Sequence, residues 1–116
     1  MSPRLWRHRI QDILDAIAKI RSYVEGMDTE AFCQDSKTID AVIRNLIVMG
    51  EAANRVPSEV RSAHPDVPWR LMADLRNFAV HEYWGVSLFT VWETIQQDLP
   101  PLVPVLEAVL EGGSND

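Results

Sequence analysis

An arginine and a histidine stand five residues apart, at Arg76 and His81, within the run Leu75-Arg76-Asn77-Phe78-Ala79-Val80-His81-Glu82-Tyr83-Trp84. Arg76 is a permanent cation whose forked donors match phosphate oxygens, and histidine is the side chain best suited to take up or release a proton near neutral pH. Together they suit phosphodiester chemistry. Asn77 adds an amide beside the arginine and Tyr83 a hydroxyl two residues beyond the histidine, so the pattern reads Arg-x4-His-x-Tyr.

Spacing alone does not make these residues an active site. Residues five apart on a regular helix are turned by about 500°, which leaves Arg76 and His81 roughly 140° apart around the axis. Two arrangements would bring them together. Either the helix ends or loosens near His81, with Gly85 close by, or the site is shared with a second subunit across a groove.

The 116 residues, 47% of them hydrophobic, suffice for one compact domain and are too few for two ordinary ones. We expect a single helical domain over residues 1–116, with residues 112–116 as a frayed tail. The lone Cys33 permits no internal disulfide and no cysteine metal cluster, and no apolar stretch approaches a membrane span. A cytoplasmic protein follows as the expectation, with neither metal nor cofactor required. A net charge of −6 argues against coating nucleic acid by bulk electrostatics. Nine of the eleven basic residues are arginines, among them Arg55, Arg61, Arg70 and Arg76, and none follows Ser87, so a local positive groove on an acidic body is open.

Four apolar series must position the site. Leu5, Trp6, Ile10, Ile13, Leu14, Ile17, Ile20 and Val24 recur at the three-to-four spacing of an amphipathic helix over 3–24, with Gly26 as its stop. Ile39, Val42, Ile43, Leu46, Ile47, Met49, Ala53 and Val56 predict an antiparallel second helix, capped by Asp35 or Ser36 and closed by Pro57. Glu51, among small residues of that helix, is expected to be partly buried and paired with an arginine. Short helical turns are predicted over 29–35 and 58–63. A third helix runs from Pro68 into the Arg-His stretch, and a fourth, from Leu88 to Val109, must break or kink near Asp98–Pro101. No alternating strand pattern, hairpin dipeptide or Gly-rich phosphate loop interrupts this series, so the fold class is all-α.

The run Arg76-Asn77-Phe78-Ala79-Val80-His81-Glu82-Tyr83, followed by Trp84-Gly85-Val86, resembles the signature of the HepT-like toxins of the HEPN superfamily. Asp12-Ile13-Leu14-Asp15-Ala16-Ile17, Gly50-Glu51-Ala52-Ala53 and Trp92-Glu93-Thr94-Ile95 through Asp98-Leu99-Pro100 agree in order. The resemblance implies a four- to five-helix bundle with an antiparallel up-and-down core and a kinked C-terminal helix. It implies a homodimer with two Arg-x4-His motifs facing across a cleft, and a metal-independent endoribonuclease acting as the toxin of a toxin-antitoxin pair. It further implies a minimal nucleotidyltransferase antitoxin that silences the toxin by transferring AMP to Tyr83.

RNA brings its own nucleophile, the 2′-hydroxyl, so His81 as general acid or base and Arg76 as a stabiliser of phosphate charge would suffice. Asn77 would orient the phosphate or support the helix end. The alternative is a non-catalytic module that holds a nucleotide or RNA, or docks a protein; the acidic net charge favours it and the family resemblance outweighs it.

Overall fold

The computed structural model of the chain describes residues 3–82, 85 and 87–112. Among the described residues the secondary structure is entirely helical: α1 (Pro3–Tyr23), α2 (Thr29–Cys33), α3 (Ser36–Asn54), α4 (Ser58–Ala63), α5 (Trp69–Val80), α6 (Leu88–Glu93) and α7 (Leu102–Gly112). Residues 113–116 of the anticipated tail lie outside the described residues, and Gly112 is the last residue of α7.

Periodicity accounts for the bundle. Ile10, Ile13, Ile17 and Ile20 fall on one stripe of α1 and are wholly buried, meeting Val42, Leu46 and Met49 of α3 in the same core. Each such side chain contributes about 1.5–3 kcal/mol relative to an exposed one. Gly26, at φ +80°, turns the chain after α1, a conformation that glycine adopts without steric cost. Asp28 and Asp35 then start α2 and α3 by accepting from Ala31 N at 2.8 Å and Thr38 N at 3.0 Å. The Thr38 backbone N–H also holds the Asp35 carboxyl below the usual carboxylate range.

The last apolar series breaks where its prolines require. After α6 the chain passes through a π-helical turn, Thr94–Asp98, in which Leu99 N donates to Thr94 O at 3.1 Å. Pro100 cannot supply an N–H to continue the ladder, and α7 restarts at Leu102. This bend folds Leu99, Leu102 and Leu106 onto the core. Arg7 fastens the closure by donating from Nη2 to Leu110 O at 2.6 Å, a cation on a carbonyl in the last turn of α7. Phe32 and Trp92 meet at 5.3 Å between ring centres and join α2 to α6.

No described helix is long and apolar enough to cross a membrane.

Candidate functional site

The site begins with a close crossing of two helices. Gly50 on α3 lies against α5 so tightly that a Cβ there would overlap Arg76 Cβ, and would come within 2.8 Å of Arg76 Cγ and 2.9 Å of Met72 O. Only a residue without a side chain permits this approach. The stem of Arg76 is thereby laid over the backbone of α3, and its guanidinium extends beside the next residue, Glu51. Arg76 Nη2 stands 3.8 Å from Glu51 Oε1, with the glutamate side chain 47% exposed. The expected arginine partner of Glu51 is therefore Arg76, in a pair that is half open to solvent.

Asn77 holds the other side of the guanidinium, accepting at Oδ1 from Arg76 Nη1 at 3.1 Å. Arg76 Nε is buried and has no hydrogen-bond partner among the described residues. Two partners thus fix the plane of the cation while its side chain keeps about a third of its surface open. A guanidinium so oriented can meet a phosphate with its remaining donors.

His81 stands where α5 stops. It is the cap residue after Val80, with φ −87° and ψ 8°, its N–H donating to Asn77 O at 3.1 Å. Glu82 follows in the left-handed region at φ 61°, with its N–H on Ala79 O at 3.3 Å. That geometry costs a non-glycine residue on the order of 1 kcal/mol, and it turns the chain away immediately after the histidine. The helix thus ends at His81, and the turn is made by Glu82 rather than by Gly85. His81 is exposed, so a substrate can reach the imidazole from solvent. Tyr83 lies outside the described residues.

The model of the family described as "Ribonuclease HepT-like" matches residues 13–109. The chain belongs to the HepT-like family. The HepT-like match runs from within α1 to within α7, with Gly50, Glu51, Arg76 and His81 inside it. A Thermococcus cleftensis protein named "Probable ribonuclease HepT" is 39% identical over 93 residues, covering 80% of this chain and 84% of its own. A Methanocaldococcus jannaschii protein named "Putative RNase MJ0125" is 33% identical over 102 residues, 88% of each chain. No solved structure matches the chain significantly.

The basic residues of this HepT-like chain are spread unevenly around the site. Arg55 joins Arg9 of α1 and Arg44 of α3 in a shallow groove of about 320 Å³, together with Asp12 and Glu51. Arg70 instead faces Asp74 at 3.9 Å, at the far end of α5. Sequence reasoning missed Gly50 as a positioning residue and Arg9 and Arg44 as neighbours of the site. Arg44, Glu51 and Arg55 do recur at seven- and four-residue steps, a signal of one helical face.

Proposed function

We propose that this chain is an endoribonuclease that cuts RNA by attack of the 2′-hydroxyl on the adjacent phosphorus. A new 2′-O–P bond forms and the P–O5′ bond breaks, leaving a 2′,3′-cyclic phosphate and a 5′-hydroxyl. One proton leaves the 2′-oxygen and one must reach the 5′-oxygen; His81 is the group that moves them, and Arg76 stabilises charge on the phosphate oxygens. Asn77 positions Arg76 through its 3.1 Å contact. The observation that carries this reading is the clamped Arg76 guanidinium, laid over Gly50 and held between Glu51 and Asn77, on a helix that ends five residues later at an exposed histidine. The HepT-like family match and relatives named as ribonucleases support it.

In this reading the protein works in the cytoplasm as the toxin of a toxin-antitoxin pair, as a homodimer whose two Arg76–His81 sites face a common cleft. Its antitoxin is a minimal nucleotidyltransferase that transfers AMP from ATP to the Tyr83 phenolic oxygen, releasing pyrophosphate. The added phosphodiester brings bulk and negative charge within two residues of His81 and competes for Arg76.

The test is incubation with RNA in excess EDTA, beside the same strand carrying 2′-deoxy residues. Cleavage of the ribose strand alone is the expected result. Binding of RNA with no cleavage would favour the non-catalytic module, and equal cutting of both strands would remove the 2′-hydroxyl from the mechanism.

A further inference from the structure

The outward face of α3 carries a pattern of charge that the proposed chemistry uses only at Glu51. Asp40, Arg44, Ile47, Val48, Glu51 and Arg55 fall within about 100° of the helix circumference, on a stripe about 22 Å long. Asp40, Arg44, Val48, Glu51 and Arg55 are exposed and Ile47 is half-buried. Val48 alone leaves 37% of its surface open, and Ile43 and Ile47 floor a hollow beside it. Asp40, Arg44 and Arg55 make no ion pair within the chain, among the described residues.

The order of these residues reverses its charge about its middle. Counted outward from the midpoint between Ile47 and Val48, an apolar pair comes first, then Arg44 against Glu51, then Asp40 against Arg55. A two-fold axis through that midpoint, with two copies of α3 antiparallel, sets every acid opposite a base. An isologous interface requires this self-complementarity, because each residue meets its mirror position on the other copy. Within the stripe, Glu51 already touches Arg76.

We propose that this face of α3 is where two copies of the chain meet, antiparallel, with Asp40 against the partner's Arg55 and Glu51 against the partner's Arg44. The inference rests on the homodimer of the proposed function and deepens it by naming the surface and register. In this register the two copies of Glu51 lie about 10 Å apart along the helix axes. The partner's Arg44 enters beside Glu51 and Arg76, so each site is completed across the interface. Glu51 then stands between two cations, orienting one from each copy.

The outer pair tests the register without touching Arg76 or Glu51. Asp40→Lys makes both outer positions positive, and Arg55→Glu makes both negative. In sedimentation equilibrium the parent should dimerise at micromolar concentration. Each variant alone should dimerise roughly tenfold or more weakly, since like charges then oppose one another twice. An equimolar mixture should regain parent-like affinity as a heterodimer, identified by native mass spectrometry, and this recovery also shows that both variants fold.

Variants that dimerise as the parent does would overturn the interface while leaving the homodimer intact. A mixture that is not rescued would also overturn it. A monomeric parent would remove the interface and the homodimer together, although cleavage in EDTA could still stand. Unaltered dimers that lose RNA binding on Arg55→Glu would assign the face to RNA.

Discussion

Helix α3 has two seams, and they are built on opposite terms. Against α1 it presents Val42, Leu46 and Met49 to Ile13 and Ile17, all at most 1% exposed. Against α5 it presents Gly50, whose missing side chain is replaced by the stem of an arginine that remains about a third open. Apolar area makes the first seam strong but leaves no polar group for chemistry. The second gives up apolar burial to press one backbone onto another side chain, and that contact aims a cation. One helix therefore separates stability from positioning by the face on which each is placed.

Substitutions on each seam and outside both test that division. The largest effect should come from His81→Ala, which lies in neither seam. Cleavage should fall by about 10²–10⁴-fold while the thermal midpoint stays at the parent value; a large fall in the midpoint would make His81 a structural residue.

Ile17→Ala tests the apolar seam. Denaturant unfolding should show a loss of about 2–5 kcal/mol, with cleavage per folded molecule unchanged. Lost cleavage in the folded fraction would mean that the seams are not separate.

Gly50→Ala is the mixed case, because the added methyl must push α5 off α3. A loss of about 1–3 kcal/mol is expected, together with at least a tenfold drop in cleavage as Arg76 is displaced. Full activity in a destabilised protein would show that the crossing does not aim the arginine.

The smallest effect concerns Asp35, at the start of α3 and remote from both seams. Its folded carboxyl lies below the usual range because the Thr38 N–H stabilises the charged form. The resulting stabilisation is complete above the ordinary carboxylate pKa and is lost as pH falls through the depressed folded value. The parent's small advantage over Asp35→Asn should therefore shrink between neutral pH and about pH 3. Denaturant midpoints separated by a constant gap over that range would rule out the carboxylate charge as its source.

The apolar seam was legible in the amino-acid order, because its cause is periodic. The three-to-four spacing outlines α1 and α3, Asp35 marks the start of α3, and Pro100 and Pro101 mark the bend before α7. The polar seam was legible only in its residue types. Arg76, Asn77 and His81 announce phosphate chemistry, but the partner of Arg76 depends on which turn of α3 crosses α5, and no local pattern encodes a crossing. Gly50 decides that crossing through a missing side chain, which in sequence resembles any small residue of a helix. A helix end near His81 was one of the arrangements the spacing allowed, but Glu82 as the residue that turns was hidden, since a glutamate in the left-handed region is held by the surrounding chain against its own preference.

In the proposed reaction, Arg76 and the exposed His81 direct the RNA's own 2′-hydroxyl onto its phosphate. Mass spectrometry of the fragment ends after cleavage in EDTA reads this directly. Fragments ending in a 2′,3′-cyclic phosphate, with a 5′-hydroxyl on the following piece, are the predicted result; fragments with a 3′-hydroxyl and a 5′-phosphate would mean that water attacked and would contradict the account.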